Sequence, residues 1–146
     1  MDYGKLKKNF EDHRFLTSYF ETREEAAAYL KEKIRGEKVG FGGSMTCQEM
    51  GLYELLKENN QVVWHWEGGA LKDAVLTDVY ITSANALAET GEIVNIDGNG
   101  NRVSSTLYGH QKVYFLVGVN KVAPDFEAAL WRARNVAAPK RAQSMG

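Results

Sequence analysis

Apolar and polar positions along this chain follow two alternating periods, and their succession predicts helices and strands in turn. Tyr3, Leu6 and Phe10 recur at helical spacing within residues 2–13, which predicts a short amphipathic helix. The run Phe15 to Phe20, FLTSYF, is rich in aromatic and β-branched residues and predicts a strand. After it, Ala26, Ala27, Leu30 and Ile34 form one apolar stripe, and Thr22 with Glu25 supplies the capping box that starts such a helix. Gly36 is the expected stop. Lys38 to Phe41 predicts a strand that leads through Gly42-Gly43-Ser44 into a second helix, from about Ser44 to Asn59. On that helix Met45, Leu52, Leu55 and Leu56 are expected to face the sheet.

Gln61 to Trp66 (QVVWHW) predicts a strand, Ala70 to Leu76 a short helical turn, and Asp78 to Thr82 another strand. Glu92 to Asp97 and Asn101 to Thr106 read as a hairpin around Asp97-Gly98-Asn99-Gly100. Lys112 to Val119 (KVYFLVGV) is apolar on both alternating faces, the pattern of a central strand covered on two sides. Pro124 stands near the first position of a last helix, where its missing N–H costs nothing, and Phe126, Ala129, Leu130 and Ala133 are expected to point inward. Strands alternating with helices predict an α/β fold: a mainly parallel sheet flanked by helices, with an antiparallel hairpin added. No repeat, low-complexity tract or linker divides residues 1–146, so a single domain is expected.

Composition narrows the class. The 146 residues are 44% hydrophobic and 25% charged, as in ordinary soluble globular proteins. With 18 basic and 19 acidic side chains, neither nucleic acid nor an anionic membrane is an expected partner. The single cysteine, Cys47, excludes an internal disulfide and a multi-thiolate metal or iron–sulfur site within the chain. The charged start MDYGKLKKNFEDH lacks the apolar core of a secretory signal, and no apolar run approaches the roughly 20 residues of a membrane span, so a cytoplasmic location is expected. His13, His65 and His110 share no ligand spacing, and no metal or cofactor is expected. His65, between two tryptophans, reads as a packed residue, and Glu24-Glu25 as part of a helix cap.

Candidate chemistry collects in loops. Thr82 to Ser104, TSANALAETGEIVNIDGNGNRVS, concentrates Asn, Gly and Asp between apolar strands. Ligands of open α/β sheets bind beyond the carboxyl ends of the strands. By the predicted order, Gly42, Gly43 and Ser44, then Ser83 and Asn85, then Asn120 and Lys121 would share one rim. The turn Gly42-Gly43-Ser44 suits a phosphate or carboxylate through free backbone N–H groups at a helix start. It is equally a tight strand-to-helix turn capped by Ser44 or Thr46. GFGGSM lacks the last glycine of GxGxxG, and no GK[ST] is present, so no nucleotide fingerprint is formed. Cys47, in the first turn of that helix, is either a nucleophile with a lowered pKa or an inert small apolar residue. Lys121 could pair with the same anion or be a solvated loop charge. Asp97 and Arg102 either brace the turn as an ion pair or face the rim, and Asp97 is also a candidate base. A calcium loop beginning at Asp97 fails, because Arg102 and Tyr108 stand where Gly and Glu are needed.

Three segments, VGFGGSMTCQEMGLYELLK, DVYITSANALAETGEIVNIDGNGNRVS and GHQKVYFLVGVNKVAPDFEAALWRARNVAAPK, resemble in this order the lactate-utilisation (LUD) domain family, in its LutC/YkgG-like form. The resemblance runs from the first helix to Lys140. It implies a ribose-5-phosphate-isomerase (NagB/RpiA) and CoA-transferase-like α/β fold. Gly42, Gly43 and Ser44 match the family's glycine loop. Ser83, Asn85, Gly91, Asn95, Asp97, Gly98, Asn101 and Arg102 match its middle motif, and Asn120 and Lys121 its later one. Some relatives act in L-lactate oxidation beside iron–sulfur partner subunits, which implies such a partner here. Relatives commonly continue into a Cys-rich tail that this chain, ending at Gly146, is expected to lack.

Three functions follow. The first is a domain that binds a small anionic metabolite at the rim, in lactate or related organic-acid metabolism. The second is an isomerase-like or CoA-transferase-like enzyme using Cys47 or Asp97. The third is a non-catalytic subunit or interaction module. With 11% aromatic residues, three of them Trp, and a short connection from Glu67 to Thr77, an exposed apolar patch and a homodimer are also expected.

Overall fold

Four consecutive residues, Val79–Thr82 (β3), are buried without exception, and a parallel sheet is built around them. The structure is a computed structural model that describes residues 1–145, with side chains described through residue 143. Within it the chain divides into two compact units, each assembled from separated stretches.

The first unit comprises Tyr19–Ser83 and Asn99–Leu116. Its sheet has four strands: Gln61–Val63 (β2), Lys38–Phe41 (β1), β3 and Lys112–Phe115 (β6) lie side by side in that order, all parallel. One face carries Val39, Phe41, Val79 and Ile81, which pack with Ala27 and Leu30 of Arg23–Lys33 (α2) and with Ile34, which caps it. The same core takes in Cys47 from Met45–Glu49 (α3) and Leu52 and Leu56 from Leu52–Lys57 (α4). Asn60 ties the ends of these helices to the strands. Its Nδ2 donates to the carbonyls of Ile34 and Leu56 at 3.0 and 2.9 Å, and its Oδ1 accepts from the Glu37 N–H at 3.0 Å. Both polar atoms of that amide are thereby matched to backbone groups at helix and strand ends.

The opposite face of the sheet carries Gly40, Gly42, Tyr80 and Thr82. It is covered by Leu71–Val75 (α5) and Asn101–Leu107 (α6). A Cβ on Gly40 would lie 2.7 Å from the Ala74 carbonyl, and one on Gly42 would lie 2.9 Å from Arg102 Cγ, which puts both helices on this face.

The second unit comprises Met1–Ser18, Ala84–Gly98 and Val117–Gly146. Ala86–Ala88 (β4) pairs antiparallel with Ile93–Val94 (β5) and parallel with Val122–Ala123 (β7). Its core is made largely of alanines: Ala86, Ala88, Ala123, Ala129 and Ala133, with Val94. Tyr3–Asp12 (α1) is capped by Asp2, and Asn9 Nδ2 donates to the Glu89 carbonyl at 2.8 Å. Phe126–Arg132 (α7) is capped by Asp125, whose side chain accepts from the Ala128 N–H at 2.8 Å. A π-helical turn, Ala133–Ala137, joins it to Ala138–Met145 (α8). Pro139 explains the turn: it has no N–H to give the Asn135 carbonyl, and its ring would collide with that carbonyl in an unbroken α-helix.

Several expectations are corrected. Phe15 to Phe20 forms no strand. Leu16 is 99% exposed, while Phe15 packs edge-on against Phe10 and Phe20 tilts against Tyr29, so aromatic contacts, not a ladder, hold the segment. The helix predicted over Ser44 to Asn59 breaks at Gly51, whose φ of +65° ends one helix and begins another, and Met45 is exposed. The strand from Gln61 stops at Val63, and His65–Glu67 forms a 3-10 turn. The Asp97–Gly100 hairpin does not form. The antiparallel partner of Ile93–Val94 is Ala86–Ala88, and Asn101–Leu107 is helical. Lys112–Phe115 is an edge strand of its sheet with half-buried side chains; β3 and β1 are the central ones. Pro124 precedes the Asp125 cap and so lies outside the last helix, and Phe126 is exposed.

Tyr114 on the edge strand packs against the core of the first unit. Its burial pushes the phenol above the ordinary tyrosine range; nearby Tyr29 adds to this, Lys33 opposes it and Glu37 adds again. The raised value means the folded state favours the neutral phenol. The corresponding stability is full below pH ~10 and is lost as pH rises through the folded pKa. Tyr114→Phe is therefore expected to lose less stability than the natural chain between pH 9 and 11, measured by urea midpoints. Parallel losses would contradict this assignment.

Candidate functional site

Parallel pairing places Val39 opposite Val79, Gly40 opposite Tyr80 and Phe41 opposite Ile81, so successive residues of β1 and β3 share faces. Tyr80 and Thr82 thus fall on the face where β1 carries only glycines. The space that side chains on Gly40 and Gly42 would fill is taken by others. A Cβ on Gly42 would lie 2.5 Å from the Tyr80 hydroxyl and 2.9 Å from both Thr82 Oγ1 and Arg102 Cγ. A phenol, a hydroxyl and an arginine side chain therefore converge on one backbone position at the carboxyl ends of β1 and β3. Tyr80 and Thr82 are buried and Arg102 is half-buried. Thr82 Oγ1 donates to the Ser83 carbonyl at 3.3 Å. Gly42 N–H itself donates to the Ile81 carbonyl at 3.0 Å, which extends the ladder one residue past β1.

Gly43 is pressed by another group. A Cβ there would meet Trp66 Cζ2 at 3.3 Å. Trp66 stacks on Trp64 at 5.1 Å, and Trp64 on Phe41 at 4.8 Å, an aromatic column that runs from the core to the glycine loop. Both glycines are thus required by close packing. Ser44 is buried and caps α3, its hydroxyl accepting from the Cys47 N–H at 3.1 Å. That helix has five residues and its cap is made internally.

A family model described as the LUD domain matches residues 3–146. The chain belongs to the LUD domain family. Membership relates it to lactate utilisation. No curated protein and no solved structure matches it significantly.

Of the residues expected on one rim of this LUD domain, Gly42, Gly43, Ser44, Ser83 and Arg102 lie in the first unit. Asn85, Asp97, Asn120 and Lys121 lie in the second. There Asn85 has architectural work. Its Oδ1 accepts from the Ile96 N–H at 2.7 Å, and its own N–H donates to Asn95 Oδ1 at 3.1 Å and to the Val94 carbonyl at 3.1 Å. Asn120 and Lys121 occupy a 3-10 turn, Val119–Lys121, directly before β7 and not at the end of a long central strand. Cys47 is completely buried among apolar side chains, a place that suits a small core residue and denies its thiol to a dissolved substrate. Asp97 is half-buried between β5 and α6 in sequence.

His110 lies before β6, at the opposite end of the sheet from Gly42. Its Nδ1 is 2.7 Å from the Thr77 carbonyl, so that nitrogen carries the proton and donates, and its ring stacks on Tyr80 at 4.7 Å. His65 packs edge-on against Trp66. Among the described residues no group of three or more His, Cys, Asp or Glu could hold a metal ion, and no helix is long and apolar enough to cross a membrane.

Tyr80, Thr82 and Trp66 were not among the expected site residues. The signal for the first two was present in the sequence: a strand with glycines at alternate positions, Gly40 and Gly42, leaves room on one face for large polar groups from its neighbour.

Proposed function

We propose that this LUD domain binds a small anionic metabolite at the carboxyl ends of β1 and β3, in lactate or related organic-acid metabolism. The observation that carries the reading is the packing of Arg102 against Gly42 beside the Tyr80 hydroxyl and Thr82 Oγ1. A guanidinium is always charged and presents paired N–H donors that match a carboxylate or a phosphate. Tyr80 and Thr82, both buried, pack beside Arg102 and limit where its side chain can lie.

Calorimetry with lactate, pyruvate, a sugar phosphate and coenzyme A tests the proposal. At least one of these anions should bind, and Arg102→Gln should weaken it roughly 10- to 100-fold, the loss of a charge-assisted hydrogen bond of about 1.5–3 kcal/mol. Arg102→Lys should restore only part of the affinity, because an ammonium keeps the charge without the paired geometry. Unchanged affinity in Arg102→Gln would reject this site.

A further inference from the structure

From Ala128 onward the sequence holds four basic residues, Arg132, Arg134, Lys140 and Arg141, and no acidic one. Taking these four from the totals of 18 basic and 19 acidic leaves 14 and 19, a net charge of −5 on everything before. An excess of positive charge is therefore gathered on one continuous helical rod of the second unit, α7 with the π-helical turn and α8. The last turn of that rod holds no basic residue, so offsetting the negative end of the helix dipole does not account for the charge. Arg134 and Lys140 are both exposed, and neither forms an ion pair among the described residues.

Helix geometry arranges these cations. Ala129 and Ala133 turn inward, into the alanine core. On the outer side Trp131, Asn135, Pro139 and Gln143 recur at every fourth residue and all are exposed, Trp131 by 63%. In a plain α-helix of about 3.6 residues per turn such a row would drift around the axis; the wider π-helical turn offsets the drift. Asn135 Nδ2 donates to the Trp131 carbonyl at 2.8 Å, which ties the first two members of the row together. Arg134 stands one residue before a member of the row and Lys140 one residue after another, so the two cations flank it on opposite sides.

The chemistry of this face selects its occupant. Positive charge on both flanks calls for an acidic partner. A bilayer surface is disfavoured, because the row offers one large apolar side chain among Asn, Pro and Gln, where an interfacial helix needs an apolar face. Nucleic acid is disfavoured as well: two exposed cations fall short of the several phosphate contacts such binding rests on, and the net negative charge of the remaining chain repels a polyanion. An exposed Trp beside an Arg is instead the pairing that dominates the centres of protein–protein interfaces, with the guanidinium suited to a carboxylate.

We propose that the outer face of α7 and α8 docks an acidic polypeptide segment, with Trp131 at its centre and Arg134 and Lys140 pairing with carboxylates on either side. A fluorescent random copolymer of glutamate and tyrosine is the probe, titrated with the full chain and read by anisotropy, beside a short DNA duplex and phosphatidylserine vesicles. The copolymer should bind most tightly of the three, and its affinity should fall as salt is raised. Arg134→Glu with Lys140→Glu should weaken it about tenfold or more, by setting like charges against each other. Trp131→Ala should weaken it about fivefold or more, as for a tryptophan at an interface centre. Lys72→Glu with Lys112→Glu changes the net charge equally at two exposed positions away from the rod, and should leave the affinity within about twofold. All these side chains already face water, so the circular dichroism spectrum should not change. None of the substitutions touches Arg102, so the result is independent of anion binding at β1 and β3. Absence of copolymer binding would overturn the proposal, as would binding of the duplex or the vesicles as tight as that of the copolymer. Equal losses from the two charge-reversed pairs would overturn it too, and an unaffected Trp131→Ala would remove the tryptophan from its centre.

Discussion

Gly40→Ala, the addition of one methyl group, is expected to destabilise the protein by about 3 kcal/mol. The new Cβ would lie 2.6 Å from Thr77 Oγ1, 2.7 Å from the Ala74 carbonyl oxygen and 3.1 Å from Ala74 Cα. Two of these three atoms belong to backbone, which cannot rotate away as a side chain can. Relief requires α5 to lift from the sheet. Lifting it would stretch the bonds from Thr77 Oγ1 to the Ala74 carbonyl, 2.8 Å, and from His110 Nδ1 to the Thr77 carbonyl, 2.7 Å. Gly98→Ala is the matched control, because nothing lies within 4 Å of its Cβ position and its φ is not positive. It should fall within about 0.5 kcal/mol of the natural chain. Urea midpoints measure both; equal midpoints for the two variants would refute the close packing of α5 on β1.

Trp64→Ala should cost about 3–5 kcal/mol, the range for removing a buried aromatic side chain. Trp64 is 1% exposed and touches three rings: Phe41 at 4.8 Å, Trp66 at 5.1 Å and Tyr53 at 6.4 Å. Its removal also leaves Trp66 without the surface that holds it against Gly43. The fluorescence of Trp66 should therefore shift to the red as water reaches the indole. Trp64→Phe should recover most of the stability. The Trp64 Nε1 is buried with no hydrogen-bond partner among the described residues, so exchanging the indole for a phenyl ring removes an unsatisfied donor while keeping the stack. If the Phe variant were as unstable as the Ala variant, ring stacking would not be what holds the column together.

Local rules made part of this fold legible. The capping box of Thr22 and Glu25 forms as its spacing requires, with the Thr22 hydroxyl accepting from the Glu25 N–H at 3.1 Å and the Glu25 carboxylate from the Thr22 N–H at 3.2 Å. The strand Lys38–Phe41 begins and ends where its apolar run does. Both depend on neighbours within a few residues. What failed depends on distant ones. Asn101 to Thr106 carries β-branched and hydroxyl residues that favour strands in isolation, yet it is helical. Its hydroxyls turn back on the helix itself, Ser104 Oγ to the Asn101 carbonyl at 3.1 Å and Thr106 Oγ1 to the Val103 carbonyl at 2.8 Å, so they need no strand partner. The partner of Ile93–Val94 was misassigned because Asn85, ten residues before Asn95, fixes the pairing through its amide.

The candidate site divides in the same way. Gly42, Gly43 and Ser44 stood out by residue type, and Arg102 by its resemblance to a family motif. Their mutual placement was not legible, because Arg102 reaches Gly42 only once its segment has become a helix over the sheet. Tyr80 read as one more apolar residue of a buried strand. Its hydroxyl matters through the absence of a side chain on Gly42, a relation across two strands that no single window of sequence contains.

The division of the chain into interleaved stretches bears on how the protein is made. The last residue of the first unit is Leu116, so a ribosome has added every residue of that unit before it reaches β7, α7 and α8. The second unit draws on stretches before, between and after those of the first, and it lacks β7, α7 and α8 until these too have been synthesised. At ordinary rates of synthesis that interval is roughly 2 to 6 seconds. For that time the N-terminal helix and the β4–β5 pair must wait, their alanine-rich core still open, while the strands of the other unit have all been delivered. Vectorial synthesis thus imposes an order of assembly that refolding from denaturant does not share.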